Sequence, residues 1–423
     1  MMKRYLAIDI GASSGRHIVG WREDGRIQTE EVYRFPNFME EKDGHLIWDA
    51  ERLLREVKAG ISAARRRFSD IVSLSVDTWG VDYVLLEGDR EIFPCYAYRD
   101  GRTAEAIRQV HELVPFSELY ARTGIQFQSF NTIYQLFADK SAGRLERATD
   151  FLLMPEYFMY KLTGVKTHEY TEATTTGLVN ADSGEYDGEL AQRLGLPQRL
   201  FGRLCAPGTV LGEYEGIRVV LCATHDTASA VEGINVPEDA IFLSSGTWSL
   251  LGAKIARAVT TKESLDANFT NEGGVGYIRY LRNIMGLWII QQLQKQLGIG
   301  FSEMVELARG SRYIKIFDVN DARFMAPADM KAELLSALGD EGLTDADVIN
   351  SVYHSLAHSY GEAVRELENL TGQVRSGLYI AGGGAKNEYL NELTAAYTKK
   401  KVTALPVEAT ALGNLKIQME VDE

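Results

Sequence analysis

Cysteine is scarce in this chain. The three present, Cys95, Cys205 and Cys222, show no metal-ligand spacing and cannot all pair with one another. That excludes a disulfide framework and fits a reducing compartment. Basic residues are in deficit, 45 Lys and Arg against 59 Asp and Glu, for a net charge of −14. Such a balance argues against nucleic acid or an anionic membrane as partner, because both demand a basic surface. No apolar run approaches the length of a membrane span. Met1-Met-Lys-Arg4 has the charge of a leader, but Asp9 interrupts the following apolar run too soon for a signal peptide. The expectation is a soluble, cytoplasmic protein. Nothing in the sequence sets its oligomeric state.

What is present is the composition of a globular protein, 45% hydrophobic and 25% charged over 423 residues. That length exceeds one compact core and implies two domains of roughly 200 residues each. Short β-branched runs alternate with helical segments, the pattern of an α/β protein. Strands are expected at Tyr5–Ile10, Arg16–Trp21, Ile27–Tyr33, Ile71–Asp77 and Val81–Leu86, with Asp24-Gly25 as a tight hairpin turn. Asp49 is placed to cap a helix running to about Arg67, with Leu53, Leu54, Val57 and Ile61 on one face. A long helical and loop insertion follows, from Arg102 to about Gly202. The second half restarts at Ala240–Leu243, turns through Ser244-Ser-Gly-Thr247, and continues at Leu251–Ile255. Later, Leu378–Ala381 runs into a glycine turn and a helix to about Lys400. Two copies of one hairpin-start unit imply an internal duplication with a cleft between the copies. Gly233 and Pro237 interrupt the pattern and put the boundary between domains 1–232 and 233–423.

Several stretches carry chemistry. In Asp9-Ile-Gly-Ala-Ser-Ser-Gly-Arg16 an apolar strand delivers one carboxylate to a turn of small residues ending on a cation. Small side chains let backbone N–H groups approach a polyphosphate, and Asp9 suits a hydrated Mg²⁺. The turn lacks the Lys-Ser/Thr of the Walker loop and the G-x-G-x-x-G of the dinucleotide loop, and by itself it reads first as an ordinary β-hairpin. Ala223-Thr-His-Asp-Thr-Ala-Ser229 puts Asp226 at a strand end, as a proton acceptor or as a helix N-cap. Trp79, between Asp77 and Asp82, reads as a sugar platform or as core. Gly382-Gly-Gly-Ala-Lys-Asn387 reads as a ligand-approaching turn or as a tight strand-to-helix joint. Asn283 to Gln291 reads as a mostly apolar helix face, with these two polar residues just over two turns apart. His354 and His358, at i and i+4, have no third ligand and read as ordinary helix residues.

Together these stretches resemble the FGGY carbohydrate kinases of the actin and hexokinase superfamily. The resemblance runs in consistent order over nearly the whole chain. It takes in Asp77-Thr-Trp-Gly-Val-Asp-Tyr83, Ala97-Tyr-Arg-Asp100, Thr224-His-Asp-Thr-Ala-Ser229, Ser244-Ser-Gly-Thr-Trp-Ser249 and Asn268-Phe-Thr-Asn-Glu-Gly-Gly274. It continues with Asn283-Ile-Met-Gly-Leu-Trp288, Gly382-Gly-Gly384 and Pro406-Val-Glu-Ala-Thr-Ala-Leu-Gly-Asn414. The resemblance implies two ribonuclease-H-like domains around a closing cleft. It further implies phosphoryl transfer from MgATP to the 1-hydroxyl of L-rhamnulose, in L-rhamnose breakdown. The nearest alternatives are kinases for L-fuculose or D-xylulose, or an ATP-binding relative with impaired chemistry. By motif matching, Asp226 is the proton acceptor, and Gly80, His225, Asp226, Thr227 and Asn283 hold the ketose. Ala12, Ser13, Ser14, Gly15, Arg16, Thr247, Gln291 and Gly383 hold ATP, and Asp9 organises Mg²⁺. Relatives continue past the Ala-Leu-Gly-Asn motif with a longer helical tail, whereas this chain passes Leu415–Met419 and stops at Glu423. The loop from Leu211 to Val219 is also short.

Overall fold

The computed structural model describes residues 3–405 and 409–423; Pro406, Val407 and Glu408 of the last motif lie outside them. The first half builds β1 (Arg4–Ile10), β2 (Ser14–Glu23), β3 (Arg26–Pro36), α1 (Ala50–Arg67), β4 (Ile71–Thr78), β5 (Val210–Tyr214) and β6 (Ile217–Val220). Their six-stranded sheet has the order β5-β6-β4-β1-β2-β3. The β2–β3 turn uses Asp24 and Gly25, both at positive φ, the geometry whose twist matches antiparallel strands. Asp49 caps α1 by accepting from the Arg52 N–H, and Leu53, Val57, Ile61 and Ala64 face the sheet.

The second half builds α2 (Asp226–Gly233), β7 (Ile241–Ser245), β8 (Trp248–Ile255), β9 (Thr270–Gly273), β10 (Ile278–Met285) and α3 (Trp288–Leu297). It continues with α4 (Asp345–Thr371), β11 (Leu378–Ala381), α5 (Glu388–Thr398), β12 (Val402–Ala404) and α6 (Ala409–Glu420). Its sheet has the order β9-β10-β8-β7-β11-β12. The expected helix over 283–291 is therefore half wrong. Asn283 lies on strand β10 opposite Leu250, and the helix begins only at Trp288. Gly286 makes the joint, where a Cβ would lie 2.6 Å from Ser249 Oγ and 2.7 Å from the Gly246 carbonyl oxygen.

The two sheets share one plan. In each, a strand pairs antiparallel with the next, which pairs antiparallel with a third, while two parallel crossover strands extend the other side. The series β3-β2-β1-β4-β6 matches β10-β8-β7-β11-β12, as in two ribonuclease-H-like domains. The helices match too, with α1 standing to the first sheet as α4 does to the second, and α2 as α6.

Helices α2 and α6 cross where small residues let their backbones touch. A Cβ on Gly233 would overlap the Ala409 carbonyl oxygen, and one on Gly413 would overlap that of Ser229. Helix α6 also lies on the first sheet. Its Ala411, Leu415 and Met419 pack with Tyr5, Ala7 and Ile18, and Gln418 donates to the Leu6 carbonyl at 3.0 Å. Among the described residues no helix is long and apolar enough to cross a membrane.

Candidate active site

The β1–β2 turn is closed by the Gly11 N–H donating to the Ser14 carbonyl. Asn37 clamps it from β3's end, its side chain donating to the Gly11 carbonyl at 2.9 Å. Ala12, Ser13 and Ser14 form the accessible tip, with Ser13 the most exposed. Gly15 sits apart from them. It is buried in β2 opposite Ile10, and any Cβ there would overlap the Phe35 ring. Arg16 reaches back along the strand and donates to Asp9 at 2.5 Å.

Behind this turn three carboxyl groups converge. Asp9 and Asp77 are partners in the parallel β1–β4 register, and the Thr78–His225 bridge brings the start of α2 to the end of β4. Asp77 is fully buried; Asn414 of α6 donates to one of its oxygens at 2.6 Å, and the other oxygen is buried with no hydrogen-bond partner. Burial and the neighbouring Asp9 and Asp226 push the Asp77 carboxyl well above the usual carboxylate range. Burial and Asp9 likewise raise Asp226, to about 7. Asp226 keeps 30% of its side chain exposed, and it accepts from the Thr227 hydroxyl at 3.0 Å. The helix-cap alternative fails, because α2 begins on Asp226 itself and His225 occupies the cap position.

His225 faces the second domain. Its Nδ1 lies 3.0 Å from Arg279 Nη2 and 3.6 Å from a Glu272 carboxylate oxygen. Arg279 is fully buried on β10, ion-paired to Glu272 at 3.1 Å, and donates to the Gly273 carbonyl at 2.7 Å. A guanidinium only donates, so Nδ1 must be the unprotonated nitrogen. Burial and the Arg279 charge hold His225 well below the usual histidine range. The neutral ring therefore carries its proton on Nε2, the atom nearer Asp226 and Thr227. Arg279 escaped the sequence reading because its partner is a histidine in the other half of the chain. Glu272 lay within a quoted motif but had no assigned role.

Gly80 approaches Thr175 so closely that a Cβ would sit 3.0 Å from its methyl group. The next residue, Val81, is β-branched at φ +72°, a conformation that costs of order 1–3 kcal/mol. Its N–H donates to Thr175 Oγ1 at 3.2 Å, and Thr132 Oγ1 donates to its carbonyl at 2.7 Å. Trp79 is core rather than platform. It packs on Trp48 with ring centroids 4.4 Å apart, and both indoles donate to Asp82, at 2.9 and 2.7 Å.

Across the cleft, the Gly246-Thr247 turn meets the start of α3. The Leu287 and Trp288 N–H groups donate to the Gly246 and Thr247 carbonyls, and Thr247 Oγ1 lies 3.3 Å from Gln291 Oε1. Gly382 and Gly384 press against Ser245, where a Cβ on either would collide, whereas Gly383 between them is exposed with open space above it. Thr247 thus meets Gln291, the glycine turn around Gly383 packs on Ser245 two residues before Thr247, and Asn283 lies on the adjoining strand β10. His354 and His358 are elsewhere, on α4, bonded to Tyr397 OH at 3.0 Å and beside Glu362 at 3.5 Å. No group of three metal-ligating side chains is gathered among the described residues. A Mg²⁺ that keeps most of its water and binds phosphate needs only one or two carboxylates. The Asp9–Asp77 pair, with its unpartnered buried oxygen and mutual repulsion, fits such an ion.

Comparison with known proteins bears on lineage and fold. Residues 4–223 match the N-terminal domain of the FGGY family of carbohydrate kinases, and residues 241–420 match the C-terminal domain. The chain is 42% identical over 436 residues to a rhamnulokinase of Halalkalibacterium halodurans, covering 99% of this chain and 93% of the relative. It is 37% identical over 438 residues to the rhamnulokinase of Bacillus subtilis, covering 98% and 90%. Among solved structures, a xylulose kinase from Rhodospirillum rubrum superposes with TM-score 0.82 at 13% identity, covering 100% of this chain and 90% of that one. A gluconate kinase from Lactobacillus acidophilus does so with TM-score 0.81 at 14% identity, covering 100% and 89%. At those identities the structures attest the fold, while the sequence matches along both halves settle the lineage: this chain belongs to the FGGY family of carbohydrate kinases.

Proposed function

We propose that this protein phosphorylates the 1-hydroxyl of L-rhamnulose with MgATP, giving L-rhamnulose 1-phosphate and ADP, in L-rhamnose breakdown. The observation that carries the reading is Asp226. It is a partly exposed carboxyl group at a helix start, raised to about 7 and set beside a neutral histidine. A base with that pKa is about half ionised at neutral pH and basic enough to accept a hydroxyl proton as phosphorus–oxygen bonding develops. In this reading the Nε2–H of His225 and the Thr227 hydroxyl would hold ketose oxygens beside it, with Gly80 and Asn283 bounding the sugar. Ala12, Ser13 and Ser14 at the turn's tip, with Gly15 and Arg16 holding the turn behind them, and Thr247, Gln291 and Gly383 are the groups we assign to ATP, one set on each side of the cleft. In this assignment residues 1–232 carry the acceptor and 233–423 the nucleotide. Asp9, backed by Asp77, would hold Mg²⁺, which when bound neutralises charge on the transferring phosphates. Unpaired Cys95, Cys205 and Cys222 suit the cytoplasm as compartment.

The deciding experiment is an ATP-coupled assay of the purified protein on L-rhamnulose, L-fuculose and D-xylulose. The reading requires the highest kcat/KM with L-rhamnulose. Equal or better turnover of another ketose would reassign the acceptor, and ATP binding without any turnover would reduce the chain to a nucleotide-binding relative.

A further inference from the structure

At His225 the second half of the chain reaches into the acceptor side. Glu272 on β9 and Arg279 on β10 are partners in the antiparallel register and form an ion pair at 3.1 Å. Arg279 is fully buried, and its Nε donates to the Gly273 carbonyl at 2.7 Å, which fixes the direction of the guanidinium toward His225. The neighbours of Glu272 are themselves bonded to the first half. The Asn271 N–H donates to the Gly124 carbonyl at 2.9 Å, and the Gly273 N–H donates to Thr174 Oγ1 at 2.8 Å. In the same segment as Thr174, Thr171 Oγ1 accepts from the His225 N–H at 3.3 Å. Residues 171–174 therefore register the strand that carries Glu272 against the backbone of His225.

A buried ion pair is a poor source of stability, because desolvation offsets its attraction. The consequence of this one falls on the histidine. A Glu272 oxygen lies 3.6 Å from His225 Nδ1, and a carboxylate beside an imidazole ordinarily draws the proton to the nearer nitrogen. That would leave Nε2 as a bare acceptor, 3.7 Å from the Asp226 carboxyl. Arg279 reverses the choice. Its Nη2 occupies Nδ1 as a donor at 3.0 Å, so the ring proton stays on Nε2. The Arg279 charge also opposes a second proton on the ring. His225 is not sealed, since 12% of its side chain is exposed beside Asp226, which is 30% exposed. Arg279, by contrast, is buried throughout and can act on a ligand only through the ring.

We propose that Arg279 is a positioning residue for the acceptor: it screens His225 from Glu272 and makes the ring offer Nε2–H to a ketose oxygen. Acceptor recognition then depends on a residue of the half assigned to the nucleotide. This rests on the ketose-kinase reading above. The test compares wild type with Arg279→Lys, which keeps a cation and a donor, and Arg279→Met, which leaves Glu272 facing the ring. NMR of protein labelled with ¹⁵N-histidine reads the ring at neutral pH, the His225 signals being those lost in His225→Gln. Wild type should show a neutral ring protonated on Nε2, and L-rhamnulose added without ATP should shift the Nε2 resonance. Arg279→Met should carry the proton on Nδ1 or on both nitrogens. In a coupled assay it should lower kcat/KM for L-rhamnulose about 10–100-fold, the scale of one lost buried hydrogen bond, with KM for ATP unchanged. Arg279→Lys should keep the tautomer and stay within about tenfold of wild type. The proposal is overturned if the wild-type ring is protonated on Nδ1, or if L-rhamnulose leaves the Nε2 resonance of an active wild type unmoved. It is equally overturned if Arg279→Met keeps the wild-type tautomer, stays within about twofold in kcat/KM, or raises KM for both substrates together as it melts lower. Those wild-type spectra decide the matter even where Arg279→Met does not fold. A wild type that turns over no ketose would refute the ketose reading itself, whatever the tautomer.

Discussion

Asp226, Asp77 and Asp9 are three acidic side chains of one type whose environments separate their roles. Asp226 remains accessible and its carboxyl is raised to about 7, so activity should depend on its ionised form. As pH falls through about 7 in a pH–rate profile, kcat/KM should fall on a single-proton limb. Asp226→Asn should remove that limb and lower kcat by roughly 10²–10⁴-fold, while calorimetry should still find ATP bound; near-normal turnover would take Asp226 out of the mechanism. Asp77 is instead sealed in the sheet and holds its proton more tightly than it would in the unfolded chain. The folded state then binds more protons than the unfolded one above pH 3.8, so stability falls as pH rises through that interval. Asp77→Asn, melted without nucleotide or divalent cation, should match wild type near pH 4 and exceed it at pH 8. The gain should be ~2–4 °C per kcal/mol of relieved repulsion; a lower melting temperature at pH 8 would contradict the assignment. Residue types and spacing made Asp226 and Asp9 stand out before any coordinates. Trp79 was ambiguous because an indole serves a core and a sugar equally well, and only its contact with Trp48 and its bond to Asp82 decide.

At the scale of elements, the hairpin starts at β1–β2 and β7–β8 were visible from strand periodicity and their small-residue turns. The joint before α3 was not. Apolar residues run through Ile284, Met285, Leu287, Trp288 and Ile289 without a break in hydrophobicity, so period alone does not separate strand from helix there. Gly286 marks the change, for the steric reason that Ser249 and Gly246 leave no room for a side chain. The α2–α6 crossing depends on the same kind of contact. Gly233→Ala or Gly413→Ala should force the two helices apart and lower unfolding free energy by roughly 1–3 kcal/mol, the usual scale of overpacking. Denaturant titration measures this, and because α2 begins at Asp226, kcat should fall with it. An unchanged midpoint would mean the crossing is slack.

For the whole molecule, chain order and packing order part company at the last helix. Helix α6 follows the second sheet in sequence yet covers the first, through Leu415 and Met419, and just past its end the Asp422 carboxylate pairs with Arg218 and accepts from Tyr5 OH at 3.1 Å. A fragment of residues 1–232 should therefore expose Tyr5, Ala7 and Ile18 and fold poorly. Adding a peptide of residues 405–423 should raise its helicity and melting temperature in circular dichroism; full stability of the fragment alone would show that α6 is dispensable. Local sequence determined the strand-and-turn units, their duplication and the acidic residues at their ends, because periodicity, turn chemistry and charge act over a few neighbouring residues. Tertiary structure alone decided that Arg279 sets the tautomer of His225 and that Asn414 supports Asp77. Those pairings join residues tens to hundreds of positions apart, and burial, which gives them their energies, exists only once both sheets have packed.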